Sequence, residues 1–497
     1  MELPFEKNVE RFWQQKLYTP VMREETQECR LPESMPDIGR VIASYGQVIL
    51  RGKEWRGSYI GITGGVMVWV LYAPEEGGDI RVMESWVPFS ARVEHQHGGE
   101  EGIIRAECVL SSVDARNISA RKLMLRCQIG LMVQTMLSRQ AELASPGELP
   151  EDIQVLERTY PMIMTRETGE RTFLCEEQVN LPQGSERPRR ILYFRLTPRV
   201  EEQKVHGNRA VFRGLGDLHL LYQDGEEKLC CADASVPFAQ YLELEGDYED
   251  GAELSSLMAV TSAELEIEEN GALRVRCGLV NQYIVNAPTV VQCIEDAYSP
   301  SRELELVEQE VLLPAWLDEQ VRQIELGEQL AGDEIPVDAI FFPDLPLVTR
   351  QPGGSRIHFG GVFQTLSQTP DGMLMGKAVR AGRELEMAGE CDMVPRTCLR
   401  GGTGTRREGT GWALESRLEG RICSVCSKPI SMVTGIRAAE PKAPDPERPS
   451  IIVRAKKPEE TLWDIAKYCG STVSAIQRLN KLESEPEEKR LLLIPVI

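Results

Sequence analysis

Apolar and polar residues alternate along most of the chain in short runs, with glycine and proline spread between them. QVILRG, YIGITGGVMVWVLYA, RVMESWVPFSARVEH, IRAECVLSSVDARNI and KLMLRCQIGLMVQTM follow one another in the first quarter. Many of these runs alternate with the period of two that a half-buried antiparallel strand requires. Proline cannot donate to a ladder, so Pro88 and Pro237 inside such runs predict edge strands or a bulge. One short helical turn is predicted, over PDIGRVIAS, opening at Pro36 where a missing N–H costs nothing. The 42 glycines and 30 prolines are spread between the runs, which makes many turns and a mainly β chain.

The pattern repeats at 150 residues. Leu31-Pro32 returns as Leu181-Pro182, Gly64 as Gly214, Tyr72 as Tyr222, and Arg126-Cys127 as Arg276-Cys277. Val87–Ser90 (VPFS) returns one residue short as Val236–Ala239 (VPFA). Anchors in one order at one spacing predict duplicated all-β sandwiches or open barrels of ordinary domain size. A third, diverged copy is predicted from Leu313-Pro314. In it Phe341–Gly354 reads as an insertion, Gly360 or Gly361 takes the place of Gly64, and no VPF triplet follows. RICSVCSKPISMVTGI supplies its last strand, which places one of Cys423 or Cys426 level with Cys127 and Cys277 as a buried thiol. The expected units are 1–150, 151–300 and 301–440.

Residues 441–450 (PKAPDPERPS) hold four prolines and no apolar period, the pattern of a stiff, extended linker. Beyond it, Ile451–Ala455 predicts a strand. Thr461 caps a helix over LWDIAKYC that Gly470 ends. Ser471 or Thr472 opens a second helix, VSAIQRLNK, and Leu491–Val496 closes as a second strand. Leu462, Ile465, Ile476 and Leu479 form the facing apolar stripes, and Trp463 falls off them as a contact candidate.

Two resemblances follow from these residues. LPESMPDIGRVI, GGVMVWVLY, WVPFS and SARKLMLRC resemble the SPOCS domain of endospore-forming bacteria. ETLWDIA, TVSAIQRLN and LLLIP over residues 451–497 resemble a βααβ LysM module, which follows such repeats in that family. The resemblance implies a coat-assembly scaffold in the mother-cell cytoplasm, at the forespore surface, bound to the coat's basement-layer morphogenetic ATPase. It also implies ligand contacts on two loops. One is Lys457, Pro458, Glu459, Glu460, Thr461 and Leu462, with Trp463 beside it; the other is Arg478, Leu479, Asn480, Lys481 and Leu482.

LysM modules usually bind N-acetylglucosamine polymers there. The family's Gly-Asp before the threonine is Glu459-Glu460 here, and its later glycine is replaced within a stretch holding Glu487 and Glu488. Glutamate hinders the close backbone approach that glycine allows, so a protein ligand is expected, and a glycan-binding cell-wall protein is the alternative.

Charge sharpens this reading. The chain carries −21, yet residues 451–497 hold eight Lys/Arg against seven Asp/Glu. A near-neutral module on an acidic body points away from nucleic acid and anionic lipid. The start lacks a signal-peptide core and no apolar run could span a membrane, so a cytosolic location is expected. In that compartment thirteen cysteines are not a disulfide framework. Zinc on Cys391, Cys398, Cys423 and Cys426 is weighed and set aside in favour of buried thiols. His95-Gln96-His97 reads as a solvated turn, His219 as a polar-face residue, and Gly401–Gly411 as a mobile hairpin loop. GxSxG, HExxH, P-loop and dinucleotide motifs are missing. The expectation is a non-enzymatic scaffold without metal or cofactor.

Overall fold

The computed structural model describes residues 5–17, 20–94, 102–146, 149–440, 448–484, 486–487 and 490–497. His95 and His97, most of the linker, and Glu488 lie outside the described residues. The rest is mainly β, as the alternation predicts.

The first copy runs β1 (Phe5–Leu17), β2 (Val21–Arg30), β3 (Ile38–Arg56), β4 (Tyr59–Pro74), β5 (Arg81–Glu94), β6 (Ile103–Ser119) and β7 (Lys122–Pro146). Strands β3, β4 and β5 form an antiparallel meander, and β7 pairs with β2 and β6. The second copy repeats this with β8 (Gln154–Val179), β9 (Arg190–Gln223), β10 (Leu229–Tyr248), β11 (Glu253–Ile267) and β12 (Leu273–Tyr298). Strand β9 doubles back at Gly207 (φ 58°), setting Arg199 beside Gly214 and Asp217. It thus covers the ground of both β3 and β4. Pro88 and Pro237 lie on β5 and β10, outermost in their sheets, as proline requires.

The third copy runs β13 (Leu304–Leu330), β14 (Ile335–Pro343), β15 (Leu347–Gln351), β16 (Gly354–Gln368), β17 (Leu374–Ala388), β18 (Asp392–Leu399), β19 (Gly404–Glu408) and β20 (Gly411–Ala438). Its strand order matches the others: β20 pairs β13 and β18, while β16 pairs β14, β15 and β17. Three expectations change here. The copy opens with β13, so Leu313-Pro314 lies mid-strand rather than at its start. The supposed insertion is the end of β14 and all of β15, one meander strand broken between Pro343 and Pro346, where neither proline can donate. The Gly-rich stretch is not loop throughout: it forms the paired hairpin of β19 on β20, turning at Gly409 (φ 60°).

The predicted helical turn is also absent. Ile38–Ser44 opens β3 and pairs with β4 through two bulges, and only Pro32–Met35 turns. Cross-strand burial of Ile38, Ile42 and Ala43 overrides the helix start that Pro36 suggests.

A shared notch explains the strongest anchor. A Cβ on Gly64 would collide with the Ile49 carbonyl and stand 2.6 Å from the Phe89 ring. On Gly214 it would meet the Arg199 carbonyl and the Phe238 ring at 2.7 Å. In the third copy Gly361, not Gly360, sits under a phenylalanine ring, and that ring belongs to Phe341 on β14. Its cross-strand partner on β17 is Ala381, where the other copies have Phe89 and Phe238. The VPF triplet is missing because the neighbouring strand supplies the aromatic.

Each copy contributes one long two-stranded ribbon: β1 and β2 on β7, β8 on β12, and β13 on β20. The far halves of the ribbons meet in a hub packed by Phe12, Leu143, Met162, Met164, Val291, Cys293, Leu313, Ile430 and Met432. A main-chain bridge, Trp13 to Thr165, joins the first two ribbons there. Closer in, buried amides join the copies by standing in for backbone. Gln282 accepts from Ala106 N (2.8 Å) and donates to its carbonyl (2.9 Å), Gln47 accepts from Leu196 N (2.9 Å), and Gln364 donates to Ser44 O (2.5 Å). Such partners are required where polar groups lose water.

His219 is part of this seam and not on a polar face. Its ring lies between Asp233 Oδ1 (2.7 Å) and Asp338 Oδ1 (3.0 Å) of the third copy. Burial alone would lower its pKa, but Asp338 and Asp233 more than offset that and hold it at about 9.

Candidate binding module

Residues 451–497 form β21 (Ile451–Ala455), α1 (Leu462–Cys469), α2 (Val473–Asn480) and β22 (Leu491–Pro495). Thr461 caps α1 in a reciprocal box with Asp464: its hydroxyl accepts from Asp464 N, and the carboxylate accepts from Thr461 N (2.9 Å). The Thr461 hydroxyl donates to the same carboxylate (2.7 Å), and that bond, then the one from Thr461 N, lowers the Asp464 pKa. Gly470 ends the helix at φ 65°, and Thr472, rather than Ser471, caps α2. Leu462, Ile465, Ala466, Ile476, Leu492 and Ile494 make the module's core. Leu479, expected inside, stands out, because α2 presents only Ile476 fully to that core.

The two predicted loops differ in what their side chains are free to do. Leu462 packs in the core and Leu482 packs partly against it, so both hold the loops to the module. Glu459 occupies a left-handed turn (φ 64°), a position that favours glycine. Glu460 is bound: it takes Arg454 Nη2 at 2.5 Å and Lys457 N at 3.2 Å. Asn480 bridges α2 to β22, donating to Leu493 O (2.6 Å) and accepting from Leu493 N (2.8 Å). Lys457, Pro458, Glu459, Thr461, Arg478, Leu479 and Lys481 remain exposed.

Trp463 faces the body. Its indole N–H donates to Asp296 Oδ2 (2.9 Å), its ring meets Tyr298 edge-on at 4.8 Å, and Lys467 Nζ reaches the same carboxylate at 2.7 Å. The Tyr298 hydroxyl donates to Ser471 O (2.9 Å), and burial, then Asp296, pushes its pKa up to about 12. The module is therefore seated on the end of β12. Asp296 and Tyr298 carried no sequence signal, since they lie far from the module and outside any motif.

The cysteines depart from expectation too. Cys391 and Cys426 form a disulfide across Cα atoms 5.0 Å apart, within ordinary bridging reach. Cys398 opposes Glu419 and Cys423 opposes Val394, so the four do not converge. Cys127 and Cys277 are buried in equivalent strands. Counted back equally from the hub residues Leu143, Cys293 and Met432, the third position is Ser416, not Cys423 or Cys426. Among the described residues, no three His, Cys, Asp or Glu side chains are grouped to hold a metal, and no helix is long and apolar enough to cross a membrane.

The LysM domain family matches residues 457–485, which take in both helices and both loops. No curated protein and no solved structure matches the chain. The chain thus carries a LysM domain, a class of module that takes carbohydrate or protein ligands.

Proposed function

We propose that the chain is a non-enzymatic scaffold: three β units, 1–150, 151–300 and 301–440, hold a LysM module that binds a protein. One observation carries this. The module's only tryptophan, a side chain suited to stacking on a sugar ring, is occupied by Asp296 and Tyr298. The two loops contain no aromatic residue and expose Lys457, Glu459, Arg478 and Lys481 instead. A mixed-charge rim of this kind selects a protein surface by complementarity.

The SPOCS-like anchors support a place in endospore coat assembly, with the basement-layer morphogenetic ATPase as the protein bound and the mother-cell cytoplasm as the compartment. A glycan-binding wall protein is the second reading, favoured by the LysM match itself. Titration of the full chain with chitin oligomers, beside a pull-down from sporulating cells, separates the two. Capture of that ATPase, lost on joint Lys457→Glu and Arg478→Glu substitution, supports the scaffold; tight oligomer binding with unchanged capture overturns it.

A further inference from the structure

The LysM sheet has two apolar faces. Ile452, Leu492 and Ile494 face α1 and α2. On the other side Val453 pairs with Leu493, Ala455 with Leu491, and Ile451 with Pro495, with no charged side chain among them. Ile451 is 52% exposed, Val453 62%, Leu491 69% and Leu493 42%. The unbroken runs IIV and LLLI are the pattern of strands buried on both sides, yet the fold covers one. Here the seating on β12 gives no cover, because it uses Trp463, Lys467 and Ser471.

We infer that this outer sheet face is a docking surface for an amphipathic helix of another protein. The inner face, of the same residue types, already takes two helices, and a sheet is stably covered by helices on both sides. Strands of five residues span roughly 17 Å, the length of about eleven helical residues. A strand added along β22 would have to displace Asn480, which already bonds Leu493 there. A second copy is the poorer occupant on two counts. The four side chains offer on the order of 400 Å² of apolar surface, half of the ~800 Å² each partner buries in a standard interface. Self-association would also bring two chains of −21 together.

The inference rests on the protein-ligand reading but uses a different surface from the loops. The full chain, carrying a photo-crosslinking benzoylphenylalanine at Leu491, is expressed in its native cells, with Tyr241 as the control site. The expected result is an adduct at 491 and none at 241, joined to a peptide of another protein with apolar residues at three- and four-residue spacing. That peptide, made synthetically, binds the purified chain, and Leu491→Glu weakens it at least tenfold with an unchanged melting temperature. Val453→Glu repeats the measurement should Leu491→Glu fail to fold. No adduct, an adduct with a second copy, or a joined peptide lacking that spacing overturns the inference. So does peptide binding that survives both face variants. If that binding is lost in the Lys457→Glu, Arg478→Glu chain, the protein-ligand reading still stands; chitin binding with no protein adduct removes both.

Discussion

The meanders and the far halves of the three ribbons do different work. Within the meanders, on β4, β9 and β16, each copy solves one packing problem in the same way: a glycine notch under an aromatic ring, at Gly64, Gly214 and Gly361. In the hub the copies share no such motif. Phe12, Met162 and Leu313 differ in type and each fills a place that only the assembled ribbons create. A feature that recurs within each copy can be read from one copy. A feature that exists once per molecule needs all three.

The sharpest way to break the hub is Leu313→Ala, which leaves a cavity between the ribbons. It should cost about 4 kcal/mol, read as a lower denaturation midpoint, with loss of hydrogen-exchange protection in β1 and β8 as well as β13. Protection lost in the third copy alone would show that the hub does not couple the copies.

Gly214→Ala tests the notch, with an expected cost of about 3 kcal/mol because the new Cβ meets a carbonyl and a ring. Gly360→Ala should cost less than Gly361→Ala, since only Gly361 lies against the Phe341 ring. Equal losses would count against the register drawn for the third copy.

His219→Gln removes a charged clamp between the second and third copies, at about 2 kcal/mol near neutral pH. Its folded pKa, about 9, is raised above the ordinary 6.5. The stabilisation is therefore complete below pH 6.5 and lost as pH climbs through about 9. Melting temperatures of the wild type and variant should converge between pH 7 and 10; a constant gap would refute the clamp.

Asp296→Ala acts on the smallest contact, the module's seat on β12, and should cost about 1 kcal/mol. Faster hydrogen exchange in α1, with none in β13 or β20, is the expected signature. Joint Lys457→Glu and Arg478→Glu substitution should change stability by less than about 0.5 kcal/mol, because both side chains are exposed.

Much of the architecture is legible in the order of residues alone. Alternation marks the strands, the 150-residue spacing marks the duplication, and the spacing of Leu462, Ile465 and Ile476 marks the LysM helices. Each of these is a local regularity, set by the two-residue period of a strand or the 3.6-residue period of a helix, and local regularities are written in consecutive residues. The exposed loop charges Lys457, Arg478 and Lys481 are legible for the same reason.

Other features are decided only by tertiary structure. Pro36 points to a helix, and burial against β4 makes a strand. Leu313-Pro314 looks like a boundary, yet three ribbons meet over Leu313. His219 gains its role from Asp338, Trp463 loses its freedom to Asp296, and Cys391 finds Cys426 across β20. For Leu313, His219 and Trp463 the deciding group lies far along the chain; Pro36 and the bridged cysteines, which are 35 residues apart, are governed from a nearer strand. A sequence records the chemistry of each side chain, but which other side chain it meets depends on the packing of every element between them.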